Sequence, residues 1–76
     1  MSQQEILAYI IKSLNTTGGK PMSRITADNG KVATGYIEEL NGGTVRIVWY
    51  EKSPKGAIEH RLTFNLSEIT NIEDNP

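Results

Sequence analysis

The sequence contains no cysteine and only one histidine, His60. A disulfide framework is therefore excluded, and the ligands of a typical zinc site are missing as well. The chain has 76 residues, and domains of this size bury only roughly 60% of their unfolded surface. Because neither disulfides nor metal can support such a domain, we expect the chain to associate with copies of itself. No cofactor is expected.

The sequence also has almost no excess of charge of either sign. Eight lysine and arginine residues stand against nine aspartate and glutamate residues, which gives a net charge of −1. An electrostatic case for nucleic acid or an anionic membrane needs an excess of basic charge, so the composition alone supports neither partner.

Long apolar runs are missing too. The apolar run Leu7 to Ile11 is far shorter than the roughly 18 residues that cross a bilayer. The first residues, Met1 to Glu5, are polar and lack the basic start of a signal peptide. We therefore expect no membrane partner and a cytoplasmic location.

The first residues of the sequence contain a signal for the start of a helix. Ser2 and Glu5 have the spacing of a capping box, in which each side chain accepts a hydrogen bond from the backbone of the other residue. The pattern predicts a helix over about residues 3–14, which ends before Gly18 and Gly19. Its apolar stripe, which we expect to cover a core, consists of Ile6, Leu7, Ile10, Ile11 and Leu14.

From Lys20 onward the pattern changes to short runs of Val, Ile, Thr, Tyr and Trp, separated by clusters of Asn, Gly and Pro. This pattern is typical of an antiparallel meander. The predicted strands cover about residues 20–27, 31–40, 44–51, 57–64 and 69–73. We therefore predict a mainly β fold in a single domain over residues 1–76.

Only some turn lengths bring the apolar residues of neighbouring strands to one face, because a slip of one residue reverses every side chain. A three-residue first turn pairs Ile25 with Ala33. A three-residue second turn, residues 41–43, pairs Ile37 with Ile47.

A four-residue third turn, Lys52 to Lys55, pairs Trp49 with Ile58. On the outer side, this register places Arg46 opposite Arg61. The three turns then agree on one inward face, and such agreement is strong evidence for a fold. The predicted inward residues are Ile25, Ala33, Gly35, Ile37, Val45, Ile47, Trp49, Ile58, Leu62 and Phe64.

Gly35 lies in the middle of the second predicted strand, opposite the only tryptophan, Trp49. The missing side chain permits a sharp bend and leaves room for the indole ring. A five-stranded sheet bent at this point curls into a small barrel, and the helix covers one open end. The predicted fold is an N-terminal helix followed by a five-stranded, strongly bent antiparallel barrel.

Enzymatic catalysis is not indicated. His60 falls on the inward row, and no cysteine is available as a nucleophile. Glu38 and Glu39 are adjacent in a strand, so their carboxylates are predicted to point to opposite faces and not to share a site. An ion pair with Arg46 is the simplest role for Glu38. We expect neither an enzyme nor a small-molecule substrate.

The segment Asn29 to Asn41, NGKVATGYIEELN, resembles the first signature of the Sm and Sm-like family, including its Hfq-type members. In those members the signature carries Asn-Gly, a Gly five residues later, Ile-Glu and a final Asp, where this chain has Asn41. The segment Ile69 to Ile72 resembles the Ile-Ser-Thr-Ile strand that ends the second signature. A helix followed by five bent strands is the family layout, so the resemblance covers about residues 3–73.

The resemblance implies a homo-oligomeric ring, in which the fourth strand of one copy pairs with the fifth strand of the next. It also implies single-stranded RNA at the turns after strands two and four, or at the Asn-Gly turn and strand two. Family members place a stacking group in the first of these turns, where this chain has Gly42 and Gly43, and Hfq has a Lys-His pair near the second, which this chain lacks. Because base stacking commonly contributes about 1 to 3 kcal/mol per base, the Asn-Gly turn is the favoured place.

The residues expected to contact RNA are polar turn residues and scattered cations. They are Asn29, Gly30, Lys31, Thr34, Asn41, Arg61 and Asn65. Tyr36 is a further stacking surface. The alternative is a generic SH3-like barrel, for example from a phage, that serves as a protein-interaction or assembly module without RNA binding. The near-neutral charge and the missing stacking groups favour this alternative.

Overall fold

The chain folds as one helix followed by a five-stranded antiparallel sheet in the computed structural model, which describes residues 1–75. The elements in chain order are α1 (Gln3–Asn15), β1 (Met22–Ala27), β2 (Val32–Asn41), β3 (Thr44–Ser53), β4 (Gly56–Asn65), the 3-10 turn Leu66–Glu68 and β5 (Ile69–Asn75). Pro76, the last residue of the predicted domain, lies outside the described residues. The predicted fold class, mainly β with an N-terminal helix, is confirmed. No helix in residues 1–75 has both the length and the apolarity to cross a bilayer.

The capping box at the start of α1 is present. The Ser2 Oγ atom accepts from the Glu5 backbone N at 3.1 Å, and Glu5 Oε1 accepts from the Ser2 backbone N at 2.9 Å. The backbone hydrogen bond from Ser2 is the largest cause of a lowered pKa for the Glu5 carboxyl. These bonds satisfy two amide groups that the helix itself leaves unpaired.

Replacing Ser2 with alanine is expected to lower the free energy of unfolding by about 1 kcal/mol, because the first-turn amide then loses its acceptor. Urea unfolding followed by circular dichroism at 222 nm measures the change. Gln4→Ala is the matched control, since Gln4 is an exposed residue of the same turn. Equal stability of the two variants would show that the capping box contributes nothing.

The strand order in the sheet is β4-β3-β2-β1-β5. The first half of β2 pairs with β1, up to Gly35, and its second half pairs with β3, from Tyr36 onward. β4 and β5 stand at the two ends of this order and do not pair with each other within residues 1–75. The predicted barrel is therefore not closed. After the 3-10 turn, β5 pairs with β1.

Gly35 lies where β2 passes from one partner strand to the other. A Cβ atom at this position would lie only 2.9 Å from the backbone carbonyl oxygen of Val48 in β3. The prediction that position 35 needs a residue without a side chain is thus confirmed, but the physical reason differs from the predicted one. The group that excludes a side chain is the backbone of β3, and not the indole ring of Trp49.

The core lies between α1 and the inner face of the sheet. Its buried members are Ile6, Ile10, Ile25, Ala27, Ile37, Val45, Ile47, Phe64, Ile69 and Ile72. Only part of the predicted helix stripe is buried, since Leu7 and Ile11 remain 38% and 45% exposed. The predicted inward face is also wrong at Ile58, which is 45% exposed.

The register of the first two hairpins is largely as predicted. Ile25 pairs with Ala33, and Ile37 pairs with Ile47. The β2–β3 turn, however, contains two residues and not three, with Gly42 in the left-handed region at φ +60°. A β-bulge between residues 37 and 39 takes up the difference.

The predicted four-residue turn between β3 and β4 is wrong. Ser53 pairs with Gly56, so the turn contains two residues, and Trp49 lies opposite His60 and not opposite Ile58. The Ser53 hydroxyl donates to the Gly56 carbonyl oxygen at 2.7 Å, and Gly56 has a φ of +120°. These features close a tighter turn, so the strands pair further and the hairpin extends beyond the core. A shift of two residues keeps the same side chains on the inner face, and Ile58 is exposed because it lies beyond the core.

Candidate functional site

The β1–β2 turn contains the Asn-Gly pair. Asn29 Oδ1 accepts from the Lys31 backbone N at 2.9 Å, and the Gly30 backbone N donates to the Ala27 carbonyl oxygen at 3.0 Å. Gly30 has a φ of +81°, which glycine adopts without strain. The Lys31 ammonium lies 5.6 Å from the centre of the Phe64 ring, a cation–π distance. The turn is therefore internally fixed and connected to the end of β4.

The 3-10 turn Leu66–Glu68 connects this turn with the next one. The Leu66 backbone N donates to the Gly43 carbonyl oxygen, and the Asp28 backbone N donates to the Glu68 carbonyl oxygen, both at 2.8 Å. The two locations that the family resemblance suggests are thus joined through one short segment of the chain.

The asparagines that end β2 and β4 lie on either side of one residue of β3. Asn41 and Asn65 both pair with Thr44, in neighbouring strands. The Asn65 amide Nδ2 donates to Glu68 Oε1 at 3.0 Å, so part of its hydrogen-bonding capacity is already used. We define the turn surface as the exposed residues Asn29, Gly30, Lys31, Asn41 and Asn65.

Two of the residues predicted to contact RNA lie away from the turn surface. Thr34 pairs with Arg24 inside the sheet, three residues or about 10 Å of extended chain from Lys31. Arg61 pairs with Val48, four residues or about 13 Å from Asn65.

Arg61 is also held by two carboxylates. Its Nε donates to Glu38 Oε2 at 2.8 Å, and its Nη1 donates to Glu59 Oε2 at 2.7 Å. The hydrogen bonds to Glu59 and then to Glu38 raise the pKa of this guanidinium above its ordinary value. Little of its charge remains free for a phosphate, so Arg61 belongs to an internal network on the outer face of the sheet.

The predicted ion pair of Glu38 with Arg46 is present, with Arg46 Nε and Glu38 Oε2 at 3.0 Å. Arg46 Nη2 also contacts Glu39 Oε2 at 2.8 Å. The prediction that the two glutamates cannot share a site is therefore wrong, because the bulge interrupts the alternation of side chains at this point. Arg46 pairs with Thr63 and not with Arg61, yet both arginines donate to Glu38.

Burial raises the pKa of the Glu38 carboxyl, but hydrogen bonds from Arg61 and Arg46 outweigh this effect and hold the pKa below its ordinary 4.5. A carboxyl whose pKa is lowered by folding stabilises the protein above its unfolded-state pKa, and this contribution is lost as the pH falls through the folded value. We therefore expect the Glu38 contribution to be complete above about pH 4.5 and to disappear below it.

Urea unfolding at a series of pH values between about 6 and 3, a span chosen around the ordinary carboxyl pKa, measures this contribution. We expect Glu38→Gln to be less stable than the unsubstituted chain at pH 6, with the difference shrinking as the pH falls. Asp28→Asn is the control, because Asp28 is exposed and its carboxylate forms no ion pair within residues 1–75, and it should show a smaller change. A difference for Glu38→Gln that does not vary with pH would contradict the ionic role of this side chain.

A second polar cluster, which the sequence does not predict, lies between α1 and the sheet. Ser23 is fully buried, and its Oγ lies 2.9 Å from the Tyr9 hydroxyl, which donates to Asp74 Oδ1. Burial, followed by the hydrogen bond to Asp74, raises the pKa of Tyr9. The only sequence signal was Tyr9 itself, a polar-tipped residue three positions after Ile6 at the edge of the apolar stripe. A cavity of about 260 Å³ adjoins this cluster.

His60 stacks on Trp49 with ring centres 5.4 Å apart and an angle of 15° between the planes. Its Nε2 lies 3.9 Å from Glu51 Oε1. Within residues 1–75, no three His, Cys, Asp or Glu side chains are grouped so that they could hold a metal ion. The contacts of His60 are thus those of a packing residue on the extended hairpin.

A comparison of the chain with protein-family models finds no match, and a comparison with curated proteins finds none either.

Proposed function

We propose that the chain is a non-catalytic, Sm-like subunit that assembles into a homo-oligomeric ring and binds single-stranded RNA on the turn surface. The observation that carries the proposal is the open strand order, in which β4 and β5 each have one unpaired side. Together with the two sequence signatures, this order supports an assembly in which β4 of one copy pairs with β5 of the next.

Unpaired strand edges are a liability for a small protein, because their amide and carbonyl groups invite uncontrolled pairing. β4 has ten residues and β5 has seven, so both edges are long. A closed ring pairs every such edge with an identical partner and ends further growth.

The open edge of β5 carries a contact that a neighbouring strand would improve. The Ile72 backbone N donates to the Met1 Sδ atom at 3.4 Å. A thioether sulfur is a weak acceptor, whereas a carbonyl oxygen of an incoming β4 strand is a strong one. Replacing the hydrogen bond to sulfur with a backbone hydrogen bond to β4 of another copy therefore favours association.

The turn surface offers groups that suit RNA but do not stack on bases. The Lys31 ammonium forms no salt bridge within residues 1–75, and Asn29 and Asn41 are exposed amides. A single surface of this kind binds weakly and loses affinity with salt. A ring repeats it in every subunit, so one RNA strand that contacts several copies binds far more tightly than to one. Arg61 is not included in the site, because Glu38 and Glu59 neutralise it.

Fluorescence anisotropy with labelled U-rich and A-rich oligonucleotides tests RNA binding, at 50 and 200 mM salt. We expect binding at the lower concentration and a marked loss at the higher one. Lys31→Ala should weaken binding several-fold and reduce the salt dependence. Lys52→Ala is the matched control, because Lys52 is an exposed lysine of β3, outside the turn surface. Absence of binding to either oligonucleotide at low salt, or equal effects of the two substitutions, would overturn the RNA proposal.

The second candidate function is a protein-interaction or assembly module. The outer face of the sheet favours it, because Tyr36 and Tyr50 are 37% and 58% exposed there. Tyr36 pairs with Val48, and Tyr50 follows Val48 by two residues, so the two aromatic side chains lie on the same face. Exposed apolar side chains on one face often mark protein contacts. A ring that forms but binds neither oligonucleotide at low salt would favour this candidate.

A further inference from the structure

The cavity beside α1 is lined by residues from distant parts of the chain, and none belongs to the turn surface. Its volume is about 260 Å³, slightly below the range of about 300 to 1,000 Å³ that small-molecule sites span. Its lining includes Tyr9, Lys12, Ser13, Thr16, Lys20 and Asp74. The cavity therefore has room only for a compact ligand.

Several polar groups in the lining are not used by the fold. Within residues 1–75, the Lys12 ammonium, the Ser13 hydroxyl and the Oδ2 atom of Asp74 have no hydrogen-bond partner, whereas Asp74 Oδ1 accepts from Tyr9. Lys20 Nζ donates to the Ile37 carbonyl oxygen at 2.8 Å and keeps two further protons for other acceptors. Two positively charged hydrogen-bond donors, Lys12 and Lys20, and one negatively charged acceptor, Asp74, thus line the same cavity.

The signs of these charges restrict the ligand. Two ammonium groups and a hydroxyl suit a phosphate, for which lysine acts as a point charge. A bare phosphate would leave the carboxylate of Asp74 without a donor and would be repelled by it. A neutral sugar would satisfy Asp74 with its hydroxyls but would leave both lysines unused. A ligand that carries a phosphate at one end and hydroxyl donors at the other matches all of these groups.

We propose that this cavity binds a small phosphorylated sugar, with the phosphate on Lys12 and Lys20 and the sugar hydroxyls on Asp74. Tyr9 acts as a positioning residue, because its hydroxyl holds one carboxylate oxygen of Asp74 and leaves the other free. The same chemistry occurs in a free sugar phosphate and at the 5′-phosphorylated end of a ribonucleotide chain. This site is separate from the turn surface and does not depend on RNA binding there.

Titration of the full chain with ribose 5-phosphate, followed by amide chemical shifts in NMR spectra, tests the proposal. We expect shifts centred on residues 9–21 and 74, with millimolar or tighter affinity. Ribose and inorganic phosphate alone should each bind at least five-fold more weakly. An RNA oligonucleotide with and without a 5′-phosphate separates the two sources. If the 5′-phosphate raises the affinity of the oligonucleotide and Lys12→Ala abolishes this increase, the ligand is the RNA end. If the 5′-phosphate does not raise the affinity, the ligand is the free sugar phosphate.

Two substitutions assign the roles of the residues. Lys12→Ala, at an exposed helix position, should weaken ribose 5-phosphate binding at least three-fold, whereas Lys52→Ala should not. Asp74→Asn keeps an oxygen that accepts from Tyr9 but loses the charge. It should weaken ribose 5-phosphate binding and leave or improve phosphate binding. The proposal is overturned by absence of binding at 10 mM ligand, by inorganic phosphate binding as tightly as ribose 5-phosphate, or by equal effects of the two lysine substitutions.

Discussion

Gly35→Ala is expected to lower the free energy of unfolding by about 2 to 3 kcal/mol, near the upper end of the cost of overpacking. The added Cβ atom would lie 2.9 Å from the Val48 carbonyl oxygen. That oxygen belongs to the backbone of β3, so relief of the clash requires the two strands to move apart. A 76-residue domain has a total stability of roughly 4 to 11 kcal/mol. The substitution therefore removes a large share of it.

Urea unfolding at one fixed protein concentration measures this effect, because association makes stability depend on concentration. Gly43→Ala is the matched control. A Cβ atom at Gly43 has nothing within 4 Å, and the φ angle there is not positive. Equal midpoints for the two variants would show that the close approach of β2 and β3 does not require glycine.

Phe64→Ala is expected to cost about 3 to 5 kcal/mol and to leave much of the protein unfolded at 37 °C. Phe64 is 2% exposed and lies among core residues from every strand and from α1. Its ring also lies beneath the Lys31 ammonium, so the truncation removes a contact that fixes the β1–β2 turn.

Thermal unfolding followed by circular dichroism measures this loss. Phe64→Leu keeps most of the apolar volume and should cost less than about 1.5 kcal/mol. Similar losses for alanine and leucine would indicate that the aromatic ring, and not the filled volume, is what the core requires at this position.

The parts of the fold that local patterns determine were predictable. The capping box needs only Ser2 and Glu5, three residues apart, and both of its hydrogen bonds are present. The pairing of Ile25 with Ala33 follows from a short turn whose glycine tolerates a positive φ. Gly35 marked the bend, although its neighbour proved to be the backbone of β3.

The predictions that were wrong concern features set by alternatives of similar energy or by residues distant in the sequence. The β3–β4 turn admits two lengths that place the same side chains inward, so alternation could not decide between them. The bulge that turns Glu38 and Glu39 toward Arg46 is set by cross-strand contacts. The contact of Tyr9 with Asp74 joins residues 65 positions apart, and no local pattern reports it.

The predicted RNA contacts show the same difference between local and distant interactions. Asn29, Gly30 and Lys31 follow each other in one turn, and they remain together on the turn surface. In the sequence only its charge makes Arg61 a candidate, and in the structure its carboxylate partners come from β2 and from its own strand. Charge counts from sequence include such paired residues, so they overstate the positive charge that is free to bind RNA.

The mass of the protein in solution tests the ring most directly. Sedimentation equilibrium or light scattering at micromolar concentration reports it without labels or substitutions. We expect a single species at several times the subunit mass of 8.4 kDa, unchanged on ten-fold dilution. A species of 8.4 kDa across the same concentrations would contradict the pairing of β4 with β5 between copies, and the ring with it.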